Sequence, residues 1–241
     1  MNFYDLLFQA LPDEPVPVTN LVVGVHWTLV CSNTCGLAST TTNCGPHGHY
    51  KMRDVGRLKQ KSAQELAQWV LSDNFLEASV GMAAINSLIR VDESKLVEKN
   101  ASAVIAEEAK GKNVAIVGHF PFIKEIKSIP DNLWVIEKQP YGDDFPEEAA
   151  EDYLPQADIV AITGTAFINH SIVKLLSLCK KDANIMILGP STPLLPTLFE
   201  QGISFLSGAR VGDPDSAINS IIQGASLPQV SGIQLVTMVK D

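Results

Sequence analysis

The stretch TTNCGPHGHY, residues 41–50, holds Cys44, His47 and His49 close together, with Cys31 and Cys35 a short way upstream. Thiolates and imidazoles are the usual protein donors to transition metals. A structural zinc site takes four donors, commonly with one pair spaced C-x2–4-C. Cys31-x3-Cys35, with Cys44-x2-His47 and His49, formally meets that count. Two features weigh against a closed site. Cys31 and Cys35 fall on the apolar faces of a strand-like pattern, where free cysteine behaves as a small hydrophobe. Gly45, Pro46 and Gly48 mark the histidine region as a loop. The expectation is therefore a loop that can fold over a ligand cleft. Cys44, His47 or His49, together with His119 from the second half, would there meet a soft metal or its chelate.

A second set of candidates comes from the ends of predicted strands. Ligands of open α/β sheets bind beyond the carboxyl ends of the strands, and five short stretches fall there: GHFP (118–121), EKQP (137–140), TGT (163–165), GPST (189–192) and SGAR (207–210). Three of them combine glycine with Ser or Thr, the chemistry of a helix N-terminus that holds an anion. Among the five, Gly118, Thr163, Gly164, Thr165, Gly189, Pro190, Ser191 and Thr192 are candidate ligand-binding residues. His119, directly after its strand, suits an acid–base or ligand role, and Asn169 can face the same pocket from the following helix. His170 is expected on an exposed helix face. Arg210, at the end of another strand, is a candidate partner for an anion.

Glu137 stands nineteen residues after Gly118 at the end of the second strand, where a dinucleotide fold puts an acid on a ribose hydroxyl. The glycine fingerprint is missing, since GHFPFI is not G-x-G-x-x-G and Phe120 and Pro121 obstruct a close approach to pyrophosphate. No G-x-S-x-G elbow and no Walker A motif are present. The carboxylate-rich run YGDDFPEEAAED (141–152) lacks the spacing of a calcium loop and reads as solvated surface.

The elements that must position these residues follow two patterns. In the first half, a short helix over 3–11 is broken by Pro12, Pro15 and Pro17. NLVVGVHWTLVC then alternates as a strand with Leu21, Val23, Val25, Trp27, Leu29 and Cys31 on one face, SNT turns, and CGLASTTT returns. Ser62 and Glu65 form a capping box. NFLEASVGMAAINSLIRVD is apolar almost all round, a helix buried on most sides, so Asn86 in its middle must be hydrogen-bonded to protein or ligand. Residues 92–111 read as a connecting helix. From Lys112 onward short apolar strands alternate with helices, the pattern of a mostly parallel sheet covered on both faces. The division falls between residues 1–110, α+β, and 111–241, α/β.

With 46% apolar and 19% charged residues the chain has an ordinary globular balance. A net charge of -9 and the lack of any basic block argue against nucleic acid and anionic membranes. The opening residues carry no basic n-region, and no apolar run approaches the ~18 residues of a membrane span. The expectation is a cytoplasmic protein with its four cysteines reduced. A homo-oligomer is compatible with all of this.

Read together, several stretches resemble one known family. They are HWTLV with GLASTT, ASVGMAAINSL, VAIVGHFPFIK, WVIEKQP, ADIVAITGTAFINHSI and ILGPSTPLLPTLFEQGISFLSG, and they span nearly the whole chain. The family is that of the “putative heavy-metal chelation” proteins, long known as a domain of unknown function. The resemblance implies an N-terminal domain like that of enolase, joined to a Rossmann-like domain, with the ligand in the cleft between them. It implies a heavy metal or a metal-chelating compound, tetrapyrrole-like for instance, as that ligand. The turns at 118–121, 163–166 with Asn169, and 189–192 match the family pattern, as does Asn86 in its helix, and all are thereby placed on the cleft. Enolase chemistry does not follow, because its metal carboxylates sit on a barrel that this chain is too short to contain. The alternative is a Rossmann enzyme using an adenosine-containing cofactor, S-adenosylmethionine or a dinucleotide, with Glu137 on the ribose. A purely structural protein fits the density of Gly/Ser/Thr turns less well.

Overall fold

A computed structural model describes residues 3–43, 51–97 and 101–240. Helix α1 (Phe3–Gln9) is followed by three short strands, β1 (Asn20–Val23), β2 (Trp27–Cys31) and β3 (Cys35–Ser39), in one antiparallel sheet. The single strand expected from Asn20 to Cys31 is thus two. The chain reverses at residues 24–26 and Val23 pairs with Thr28. The reversal also splits the expected apolar face, since Leu21 and Val23 join the main core with Val30 while Leu29 and Cys31 pack with Val22, Ala217 and Ile221. Gly24 permits the turn at this spot, where a Cβ would stand 2.6 Å from the Ile221 side chain. Cys31 and Cys35 are register partners across the next turn and are joined in a disulfide, which corrects the expectation that both are reduced.

Helix α2 (Ala63–Ala67) opens on the predicted capping box between Ser62 and Glu65. Helix α3 (Phe75–Leu88), capped by the Asn74 side chain, is buried along most of its length. Two neighbours touch it backbone to backbone. A Cβ at Gly36 of β3 would stand 2.2 Å from the Ala83 carbonyl oxygen, and one at Gly81 would stand 2.0 Å from the Val70 nitrogen. The buried Glu77 carboxylate accepts from the Arg53 backbone N–H at 2.8 Å, Arg53 Nε at 2.9 Å and the Ser72 hydroxyl at 2.7 Å. Burial by itself would raise this carboxyl, but the Arg53 and Ser72 hydrogen bonds and the Arg53 charge outweigh it and hold Glu77 below the usual range.

The expected connecting helix over 92–111 is instead strand β4 (Leu96–Val97), paired with the last strand of the chain, and helix α4 (Ala101–Glu108). Beyond it follow β5 (Asn113–Val117), α5 (Ile123–Ile126), β6 (Asn132–Glu137), β7 (Phe145–Pro146), α6 (Ala150–Tyr153), β8 (Ile159–Thr163), α7 (Ile172–Leu178) and β9 (Asn184–Leu188). The chain closes with β10 (Ile203–Val211), α8 (Pro214–Ile222) and β11 (Ile233–Val239). The strands form one eight-stranded sheet in the order β4-β11-β10-β9-β8-β5-β6-β7, parallel from β10 to β7, with β11 antiparallel to both its neighbours, β10 and β4. This is a mixed α/β fold with a large, parallel-rich sheet. Alternate residues of the central strands face opposite ways. Ala115, Val160, Ile162 and Ile187 join α2 and α3 in the main core, whereas Val114, Ile116, Ala161 and Met186 pack under α4 and α5. The first half therefore covers one face of the large sheet.

Gly36→Ala is expected to lower stability by about 3 kcal/mol or more, because backbone on both sides must shift; an unchanged urea midpoint would contradict the close approach of β3 to α3. Glu77, with its lowered pKa, contributes stability that is present above about pH 4.3 and lost as pH falls through the folded value. Glu77→Gln should remove that part of the acid-unfolding curve, and coincident curves for the two proteins would exclude the role.

Candidate functional site

The parallel strands change direction of travel between β5 and β8, so the crevice at their carboxyl ends is the position where open α/β sheets take ligands. The turns there are tight. Gly118 has φ +105°, and a Cβ on it would stand 3.0 Å from Thr163 Cβ. The Thr163 hydroxyl accepts from Thr165 N at 3.3 Å and lies 3.0 Å from the Thr165 hydroxyl. Gly164 is packed on the next turn, where a Cβ would stand 2.8 Å from Thr192 N. Gly189, with φ +110°, starts that turn, and Thr192 N closes it on the Gly189 carbonyl.

Two adjoining cavities open over these turns. The larger, about 880 Å³, is bounded by Thr163, Gly164, Thr165, Gly189, Pro190 and Ser191, with Trp27 and Ser39 contributed by the first half. Its walls include Phe120 and Phe122, stacked at 5.3 Å, and the exposed Leu235. The smaller, about 320 Å³, is bounded by Gly118, His119, Glu137, Thr163, Thr165 and Asn169, with Thr41 from the first half. Phe120, Thr163 and Thr165 border both. Most of the residues predicted from the strand ends are thus brought together.

Others stand elsewhere or are already engaged. Asn86 lies behind the cavities, donating from Nδ2 to the carbonyls of Leu37 at 3.0 Å and Pro190 at 3.4 Å. Thr192 is 2% exposed and sits beneath its own turn; neither its Oγ1 nor Asn86 Oδ1 has a hydrogen-bond partner among the described residues. Arg210 is inside β10 and pairs with Glu93 at 2.5 Å, outside both cavities, so it is not the expected anion partner there. Residues 207–210 belong to β10 rather than to a turn beyond it. Glu137 uses both oxygens on backbone, accepting from His119 N at 3.0 Å and Lys138 N at 2.7 Å. The helix expected to carry Asn169 and His170 breaks at His170, whose φ is +62°. Its ring is not on an exposed face but 2.7 Å from the Val70 carbonyl, edge-on to Tyr4 and Phe75. Asn169 Oδ1 accepts from Ser171 N at 3.1 Å and from the Ser171 hydroxyl at 2.6 Å at that break.

The helix N-termini expected to hold an anion are weak here. Only a four-residue α5 follows β5, and 3-10 turns at 164–167 and 196–201 follow β8 and β9, so little dipole is aligned on the crevice. Asp144 was not foreseen. Its carboxylate, 6% exposed, lies 2.9 Å from His119 Nδ1; the only hint in the sequence was the acidic run that contains it.

The donors of a metal centre are also scarce. Among the described residues no group of three or more His, Cys, Asp or Glu side chains could hold an ion. Cys31 and Cys35 are bonded to each other, and burial pushes the Cys179 thiol up to about 11. Cys44, His47 and His49 lie outside the described residues. The residues described do not fit a protein-ligated heavy-metal centre of the usual coordination.

A mixed α/β protein with its crevice at a strand-order reversal and a small antiparallel sheet over that crevice is the class these features define. The chain belongs to the family described as “putative heavy-metal chelation”, matching its DUF364 part over residues 100–240 and its DUF4213 part over residues 4–89. A DUF364-family protein of unknown function from Desulfitobacterium hafniense is 31% identical, with a TM-score of 0.85 over 98% of this chain and 97% of that one. Another from Pyrococcus horikoshii, 20% identical, shares the fold with a TM-score of 0.83 over 98% and 96%. An uncharacterized protein of Methanocaldococcus jannaschii is 27% identical over 178 residues, 71% of this chain and 68% of that one. Among the described residues no helix is long and apolar enough to cross a membrane.

Ser191, 1% exposed, accepts from the Ser39 backbone N–H at 2.8 Å and so ties β3 to the turn after β9. Ser191→Ala leaves that N–H unsatisfied and is expected to cost about 1–3 kcal/mol, with faster hydrogen exchange at Ser39. Unchanged stability together with unchanged protection of Ser39 would show that this contact does not hold the two sheets together.

Proposed function

We propose that this chain is a small-molecule-binding protein or enzyme whose ligand occupies the paired cavities, and that the ligand is a heavy metal carried as a chelate or a metal-chelating compound. The observation that carries this reading is the larger cavity. Its hydroxyls and strand-end backbone groups face apolar walls at Trp27, Phe120, Phe122 and Leu235, a surface suited to an organic body with a polar edge. The scarcity of protein donors among the described residues favours a metal that arrives with its own ligands. An enolase-N-terminal-like character for residues 1–110 and a Rossmann-like one for 111–241 belong to the same proposal, with the ligand between them. The charge of -9 continues to argue against nucleic acid as the partner.

The second reading, an adenosine-containing cofactor, is favoured by Glu137 on the smaller cavity at the end of β6. It is weakened by the engagement of both Glu137 oxygens with backbone N–H groups and by the brevity of α5.

A thermal-shift screen separates the two. The panel holds ferric and cobalt chelates, the free metal ions, S-adenosylmethionine and NAD. A ligand bound only by the folded chain adds ~2.7 kcal/mol at a hundredfold excess over its dissociation constant. The expected result is a shift with a chelate that is reduced in variants of Thr165, Asn169 or His119. A shift with an adenosine compound that is lost in Glu137→Ala would replace the first reading by the second. Chelate binding indifferent to all of these substitutions would remove the cleft from the assignment.

A further inference from the structure

We propose that Cys31 and Cys35, once reduced, form a two-thiol site for thiophilic ions such as trivalent arsenic or mercury(II). The site is separate from the cleft and does not depend on the reading given above.

The fold brings the two sulfurs together by strand register. Cys31 and Cys35 face each other across β2 and β3, with Cα atoms 4.0 Å apart, and only residues 32–34 intervene. Contacts that do not involve sulfur hold this turn. Ser32 N donates to the Thr34 carbonyl at 2.7 Å, the Ser32 and Ser87 hydroxyls lie 2.6 Å apart, and Thr34 N donates to the Ser87 carbonyl at 3.0 Å. Strand β3 is further fixed by the absence of a side chain at Gly36, which seats it on the backbone of α3. Reduction of the disulfide therefore leaves the thiols facing each other on a framework that stays folded, so little ordering cost remains for an ion that bridges them.

The surroundings select the ion. Zinc in a structural site asks for four donors, and no cluster of three or more His, Cys, Asp or Glu exists among the described residues. Leu29, Leu37, Ala217 and Ile221 pack around the pair. Two soft sulfurs in an apolar setting suit ions that are satisfied by thiolate alone, and do not suit hard cations that need oxygen. Cys31 is buried while Cys35 is partly exposed, so an ion enters from the Cys35 side. The opposite end of the hairpin, Trp27 paired with Ser39, borders the larger cavity; four residues of strand put the thiols roughly 13 Å away from it.

The chemistry balances in two steps. An external dithiol donates two electrons and two protons to the disulfide, becoming a disulfide itself and leaving two protein thiols. An aryl arsenoxide then forms two As–S bonds and releases its oxygen as water with both thiol protons, and arsenic remains trivalent. A single thiol cannot form this chelate, so the probe distinguishes the pair from Cys44 and Cys179.

The test uses the full chain, reduced with dithiothreitol and desalted, then mixed with phenylarsine oxide and weighed intact. One phenylarsenic per chain is expected on the reduced protein and on Cys44→Ser and Cys179→Ser, with none on the unreduced protein, Cys31→Ser or Cys35→Ser. An adduct that persists in Cys35→Ser, disappears in Cys44→Ser, or never forms on the reduced protein overturns the proposal. Should Cys31→Ser fail to fold, the partly exposed Cys35→Ser answers the same question.

Discussion

The Asn86 side chain touches both walls of the seam on which the crevice depends. From the middle of α3 it donates to Leu37 in the small sheet and to Pro190 in the turn after β9. Such a bridge needs its partners close to the helix, and Gly36 removes the side chain that would keep β3 away from the α3 backbone. Ser191 repeats the link one step along, holding Ser39. The placing of the hairpin against the sheet thus rests on backbone contact between β3 and α3 and on two polar side chains, Asn86 and Ser191, with the larger cavity beside them.

On the sheet side, the crevice exists because β5 leads outward to β6 while β8 returns on the other flank. Two connections diverging from adjacent strands cannot both cover the same strand ends. What lines the opening is consequently turn backbone and short side chains, Gly118, Thr163, Gly164 and Thr165 among them. With α5 only four residues long and 3-10 turns after β8 and β9, aligned peptide dipoles contribute little. Recognition in such a site falls to hydroxyls, individual amides and apolar walls rather than to a focused positive field.

Much of this arrangement was legible in the sequence because it depends on local rules. Apolar runs of strand length separated by Gly/Ser/Thr turns identify the parallel sheet and name its carboxyl edge, and the Ser62–Glu65 box marks its helix. What was hidden depends on partners distant in sequence. The split of residues 20–31 into two strands reflects Ile221 crowding Gly24. The break at His170 reflects Val70, a hundred positions away. Leu96 and Val97 pair with β11, which no pattern within residues 92–111 can announce. Arg210 and Glu137 carry charge at predicted strand ends, yet each charge is already answered, by Glu93 in one case and by two backbone amides in the other.

Side chains that could ligate a metal are likewise engaged or apart among the described residues. A donor must be unprotonated and free to turn toward the ion. His119 Nδ1 bonds to Asp144 and His170 Nε2 to the Val70 carbonyl, each leaving the other ring nitrogen, while burial raises the Cys179 thiol to about 11. These three groups stand at separate places in the fold, and among the described residues no three His, Cys, Asp or Glu side chains form a group that could hold an ion. A ligand that encloses its own metal needs no such group. It needs a roomy, partly apolar crevice with hydroxyls along one edge, which is what the reversal between β5 and β8 leaves open.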